Sequence, residues 1–409
     1  MTAKDEHIAV TRFREFLRVK TVQPKPDYVG CEAFLKKYAE ELGLAYTGVE
    51  CVKGKPICIL TWAGTDASLP SIMLNCHSDV VPVSADKWTH DPFAADKLEN
   101  GDIIARGAQD MKCVGIQYLE AIRILKQQQK VQLKRTLHVT FVPDEEIGGQ
   151  DGMKLFVKTD DYKKLNIGFA LDEGLANPGD AYKVFYGERA PWWLTITAKG
   201  KAGHGSQFLE PSATVRLLKV LNRFLAFRDS ESNRLKHGRT AKSVPFQLGD
   251  VTTTNITILK AGVQHNVVPE TASAGIDIRV APTVDLNAFK EMIEGWCAEQ
   301  DVGIEYVNTF WSNATTAPED HNPWWRLLKG VAEKRKVDLE PEIFPAATDS
   351  RYIREIGIPA FGISPMRNTP VLLHDHDEYL NERVFLDGVD FYTDLVPALA
   401  NNTEELVER

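Results

Sequence analysis

The chain has 409 residues, of which 43% are hydrophobic and 26% charged, and a formal net charge of −9. This is an ordinary globular composition, long enough for roughly two or three domains. The acidic balance argues against a nucleic-acid groove, which needs a dense basic face. The strongest basic clusters, "KKLNIGFA" and "RLKHGRT", are weak, and no segment reaches the ~18 consecutive apolar residues of a membrane span.

The N-terminal text "MTAKDEHIAVTRFREFLRVK" has no signal-peptide core. Its apolar residues Ile8, Val10, Phe13, Phe16 and Leu17 recur at helical spacing and predict an amphipathic opening helix. The six cysteines, Cys31, Cys51, Cys58, Cys76, Cys113 and Cys297, form no Cys-x-x-Cys pair, so reduced thiols and a cytoplasmic setting are expected. "SIMLNCHSD" reads as a short buried strand ending in polar residues, and "CVGIQYLEAIRILKQQ" as a helix. "RTLHVTFVPDEE" and "NIGFALDEG" are further strands that end in acids. This rhythm predicts an α/β fold with a mostly parallel central sheet flanked by helices. In such sheets ligands bind beyond the carboxyl ends of the strands. His77 and Asp79, then Glu145 and Glu146, then Asp172 and Glu173 collect at those ends.

After about Arg189 the texture changes. "PWWLTITAKGKAGHGS", "TNITILKAG" and "ASAGIDIRVAP" alternate apolar with polar residues, and "ATVRLLKVLNRFLAF" and "LNAFKEMIEGWCAEQ" have helical spacing. "GIEYVNTFW" offers a last strand. An α+β sandwich with one exposed face is expected here. The chain then returns to "IPAFGIS" and the His-Asp text "LLHDHDEY". The expected organisation is a catalytic domain in two parts, 1–188 and 313–409, interrupted by an inserted domain over 189–312.

Histidine and carboxylates at several strand ends are the raw material of a metal site, since zinc takes nitrogen and oxygen donors. The candidates are His77, Asp110, Glu145, Glu146, Glu173 and His374. If the strand runs through "HSD", Asp79 shares a face with His77 and can orient its imidazole. Asp110 stands just before a helix, where N-capping, taken alone, explains an acid better than a metal does. In "VPDEEIGG" a solvated turn accounts for the acids when the octamer is taken alone. On an extended backbone the adjacent Glu145 and Glu146 point apart, which permits one to bind metal and the other to act as a base.

In order along the chain, "TVQPKPDY", "HSDVVPV", "ARGAQDMK", "TFVPDEEIGG", "FALDEG", "YGERAPWW", "NPWW", "PAATDSRYIR" and "PVLLHDHDE" resemble the M20 family of co-catalytic di-zinc metallopeptidases over essentially the whole chain. The resemblance implies two zinc ions per subunit. His77 and Glu173 hold one, Glu146 and His374 the other, and Asp110 bridges them through a residue followed by a cis bond to Met111. It makes Asp79 the acid behind His77 and Glu145 the general base on a zinc-bridged water. It makes the insertion a lid or dimerisation domain whose His204 reaches the partner's site in a homodimer. Asn266, Arg279 and Arg351 become substrate contacts, and His376 matches no ligand position. In "GHGS", Gly205 stands where close relatives carry alanine, and a small residue is kept. The implied activity is hydrolysis of small N-acyl-L-amino acids, with an M20-type dipeptidase or carboxypeptidase as the alternative. A catalytically dead scaffold is disfavoured by the complete ligand set, and a dehydrogenase by the lack of a Gly-x-Gly-x-x-Gly after the strands.

Overall fold

Every residue of the strands Ser71–His77, Leu137–Val142 and Ile167–Asp172 is buried, as befits strands covered on both faces. In the computed structural model, which describes residues 6–240 and 243–403, they form the middle of an eight-stranded sheet. Its order is Ala45–Val52, Lys55–Trp62, Leu137–Val142, Ser71–His77, Ile167–Asp172, Ala360–Ile363, Ala181–Glu188, Asp338–Phe344. Parallel pairing joins the four strands from Leu137–Val142 to Ala360–Ile363. Lys55–Trp62 and Ala181–Glu188 flank them antiparallel. The α/β class is therefore as expected, with its parallel part at the centre, where the strand ends next to the candidate residues lie.

The chain divides into two units. One comprises the chain up to Tyr186, Thr316–Pro341 and the chain from Thr348 onward; the other comprises Gly187–Thr315 with Glu342–Ala347. In the first, the opening helix spans Ile8–Leu17 and buries Ala9, Val10, Phe13, Phe16 and Leu17, while Ile8 faces out. Phe13 stacks on Phe385 of the helix Glu382–Ala400 with ring centroids 4.5 Å apart. The helix Lys112–Arg123 is buried on all sides and runs into a wider π-turn over Ile124–Gln128. The "NPWW" text is a helix start. Asn322 accepts from the Trp324 N–H, Pro323 takes the first turn, where its missing donor is harmless, and Trp324 stacks on Phe169.

The second unit has a four-stranded antiparallel sheet ordered Thr253–Ala261, Thr271–Val280, Ala190–Lys199, Val302–Thr309. Trp192, Leu194, Ile196 and Ala198 point from alternate positions into a core shared with Leu217, Phe224, Phe289 and Ile293. The helix Ala213–His237 runs ten residues beyond the expected stretch, because its second half is mostly exposed and leaves no apolar period to read. Buried Arg189 ties Glu342–Ala347 into this unit by donating to the Pro345 carbonyl, and it also donates to Val251 O at 3.3 Å.

Candidate metal centre

His77 is the last residue of its strand, so Asp79 lies beyond the ladder rather than in it. The imidazole Nδ1 is 2.9 Å from the Asp79 backbone carbonyl and 3.7 Å from its carboxylate, so the carbonyl is the nearer orienting group. The Asp79 carboxylate works on another loop. It accepts the backbone N–H groups of Glu145 at 3.1 Å and Glu146 at 3.3 Å. It also accepts from Gln23 Nε2 at 2.8 Å, and the same amide donates to Asp144 at 3.1 Å. Tyr28 donates to Asp144 at 2.6 Å, and Lys55 pairs with it. Gln23 and Tyr28 belong to "TVQPKPDY", a motif whose residues had no assigned role; this network under the acidic loop is what they build.

The glutamates do not sit on an extended backbone. Glu145–Ile147 is a tight helical turn, entered through Asp144 at φ +64° and left through Gly148 at +100° and Gly149 at +64°. At Gly149 a Cβ would lie 2.6 Å from Asp349 Oδ1, so a side chain is excluded by contact as well as by backbone conformation. The turn still separates the two carboxylates. Glu146 meets His374 Nε2 at 3.0 Å. Donor atoms of Glu145, His77 and Glu173 lie within 4.8 Å of one another.

Asp110 does not cap the helix that follows it; Met111 occupies that place. The Asp110–Met111 bond is cis, as the resemblance implied. Asp110 stands between the two histidines, with Oδ1 3.0 Å from His77 Nε2 and Oδ2 3.1 Å from His374 Nε2. Glu173 Oε2 is 3.6 Å from His77 Nε2. His77, Asp110 and Glu146 also form a group within 4.8 Å. Five of the six candidates thus fall into two donor groups that share His77, and His374 adjoins them through Asp110 and Glu146; His376 joins neither group among the described residues.

Four carboxylates against two imidazoles leave an excess of negative charge in a desolvated place. Burial, then the Glu173 charge, pushes Glu145 well above the usual carboxylate range. Burial and then the Asp110 charge raise Glu146 to about 7. Burial also raises Glu173. At Asp110 burial acts upward too, but hydrogen bonds from His374 and His77 outweigh it and hold the group well below its ordinary value. Hydrogen bonds to Asp110 and Glu146 raise His374 to about 10. Glu146 Oε1 is buried with no hydrogen-bond partner among the described residues. Mixed nitrogen and oxygen donors, crowded acids and this orphaned oxygen are what divalent cations relieve, and the residues fit a pair of them.

Arg351 is buried and donates to Thr348 O at 2.6 Å and Gly148 O at 2.8 Å, which pins the end of the glutamate turn. Asp349 escaped the sequence reading. It is buried, neither carboxylate oxygen has a hydrogen-bond partner among the described residues, and burial followed by the Asp172 charge raises it to about 8. Its position inside "PAATDSRYIR" was the available signal. In the second unit, His204 is exposed, its Nδ1 2.8 Å from Ser206 Oγ, and it pairs with Val267 on a two-residue ladder beside Asn266. Arg279 forms an ion pair with Asp277 at 3.0 Å.

No helix among the described residues is long and apolar enough to cross a membrane. Residues 73–398 match the profile of peptidase family M20/M25/M40. The chain is 53% identical to aminoacylase-1 of Sus scrofa, covering 97% of this chain and 96% of that protein. It is 52% identical to aminoacylase-1 of Homo sapiens, covering 98% of each. Among solved structures, the M20 metallo-carboxypeptidase of Sulfolobus solfataricus shares the fold with a TM-score of 0.73 at 17% identity, over 96% of this chain and 100% of that one. A dinuclear metal-binding M20 peptidase of Bacillus subtilis has a TM-score of 0.66 at 15% identity, over 97% and 99%. Likeness over nearly the full length, on a chain that keeps its histidines and acids together at the strand ends, places this protein in peptidase family M20/M25/M40.

Proposed function

We propose that this chain hydrolyses N-acyl-L-amino acids to a free L-amino acid and a carboxylate, with two zinc ions per chain. The activity is supported by the aminoacylase-1 relatives, and zinc by the nitrogen-and-oxygen donor sets. His77, Asp110 and Glu173 would hold one ion, and Asp110, Glu146 and His374 the other. When bound, the ions would supply Lewis acidity to an amide carbonyl and make a water more acidic. The observation that carries the reading is the position of Glu145. Its carboxylate adjoins His77 and Glu173, while its neighbour Glu146 is engaged by His374. Glu145 takes one proton from water as the oxygen attacks the acyl carbon. It returns that proton to nitrogen as the C–N bond breaks, which balances the hydrolysis.

The second unit serves in this reading as the lid and dimerisation domain of a cytoplasmic homodimer; the six unpaired cysteines agree with a reducing compartment. His204 donates to the oxyanion in the partner's site. Asn266, Arg279 and Arg351 bind the substrate, with the forked guanidiniums suited to its carboxylate. Glu145→Gln is expected to lower kcat on N-acetyl-L-methionine by about 10³-fold while the protein keeps its metal. Unimpaired turnover in that variant would remove Glu145 from the base role. Faster hydrolysis of a dipeptide than of N-acetyl-L-methionine by the unaltered protein would overturn the substrate class.

A further inference from the structure

Two short strands bring the bridging acid and the second histidine together. Asp102–Ile104 pairs antiparallel with Tyr379–Asn381, and the ladder is continued by a bond from Ala105 N to Glu378 O at 3.0 Å. Beyond it the two chains diverge, one towards Asp110 and the other back towards His374. Glu378 stands at the fork, completely buried. Its Oε1 accepts the backbone N–H of Gln109 at 2.6 Å and of Asp110 at 3.2 Å. Its Oε2 accepts the N–H of Gly107 at 3.0 Å and Arg106 Nη1 at 2.8 Å. Four donors thus converge on one side chain. Only a carboxylate accepts at both oxygens without presenting a donor of its own.

The opposite direction is stitched too. Gln109 Nε2 donates to Pro370 O at 3.0 Å and Tyr379 O at 2.9 Å, and its Oε1 accepts Leu372 N at 3.0 Å. Arg106 Nη2 reaches the His374 carbonyl at 3.4 Å. The loop 106–110 and the loop 370–379 are therefore held by reciprocal bonds, and Asp110 Oδ2 and His374 Nε2 meet at 3.1 Å across them.

We infer that Glu378 is a positioning residue that fixes the bridging carboxylate of Asp110 against His374, and so sets the second metal position rather than merely the stability of the fold. This rests on the proposed two-ion reading. In Glu378→Gln one end of the side chain becomes an N–H₂ group facing two N–H donors, and the clamp must open on one side.

The test is titration of chelator-stripped protein with Zn²⁺, read as stoichiometry and affinity, beside kcat and KM for N-acetyl-L-methionine. The unaltered protein takes up two ions. Glu378→Gln is expected to keep one tight site and bind the second about 10–100-fold more weakly, with kcat reduced by a similar factor. KM is expected to stay within about threefold. If Glu378→Gln does not accumulate folded, Glu378→Asp keeps the charge beside Arg106 but is a methylene short of the Asp110 N–H. The same results are then expected of it. Two ions at unaltered affinity in a folded variant overturn the inference, as does activity that merely tracks the folded fraction. Uptake of fewer than two ions by the unaltered protein overturns the two-ion reading, and the clamp with it, and so is told apart from failure of Glu378 alone.

Discussion

At "VPDEEIGG" an acidic turn carries two of the candidate residues, Glu145 and Glu146. Asp144 turns inward to Tyr28, Gln23 and Lys55, and Asp79 takes both glutamate N–H groups, so the two side chains are aimed by a buried network rather than by an extended backbone. Buried polar groups also carry stability. His138 is 6% exposed, with Nδ1 2.9 Å from Thr61 Oγ1, and burial lowers its pKa to about 4. Above pH ~6.5 it is neutral in both states, and its contribution is fully present. As the pH falls from there towards about 4, only the unfolded chain takes up the proton, and roughly 3 kcal/mol is lost. Between pH 7.5 and 5 the Tm of the unaltered protein is therefore expected to drop further than that of His138→Gln. Equal drops would mean the imidazole is not held neutral. His77, Asp110, Glu146, Glu173 and His374 could be named as candidates from the sequence because metal chemistry restricts residue type and their motifs resemble a known family. Glu378 and Gln23 were not. They act largely through backbone N–H groups or other acids far away in sequence, and such bonds leave no spacing pattern.

At the scale of elements, period reveals what is half-buried and is silent elsewhere. The opening helix and the alternating strand Ala190–Lys199 showed their period, whereas the exposed end of Ala213–His237 showed none. On that helix Val215, Leu218 and Leu225 are exposed. The neighbouring strand Thr253–Ala261 lies at the edge of its sheet and exposes Ile258 and Leu259. Soluble proteins rarely leave an edge strand and an apolar helix stripe uncovered together. This face supports the proposed homodimer. Leu218→Glu is expected to shift the protein towards monomer in sedimentation velocity at micromolar concentration. A dimer undiminished by that change would move the interface elsewhere.

Over the whole molecule, the proposed metal pair would tie stability to bound ions. Removing divalent ions leaves four carboxylates crowded in a buried place, and any ligand bound only by the native state stabilises it, by about 2.7 kcal/mol at a hundredfold excess over Kd. Exhaustive chelation is therefore expected to lower Tm by at least ~3 °C, with recovery on adding Zn²⁺. An unchanged Tm would refute the account of charge relief. Sequence alone determined the α/β class and named the candidate donors near the strand ends, because hydrophobic period and metal preference are local properties of residue type. Only the tertiary structure decided that Glu145 and Glu146 part at a tight turn, that Asp79 holds that turn while its carbonyl orients His77, and that Glu378 gathers the Asp110 loop. Those outcomes depend on hydrogen bonds between segments up to 272 residues apart, and chain order does not encode which buried acceptor each N–H will meet.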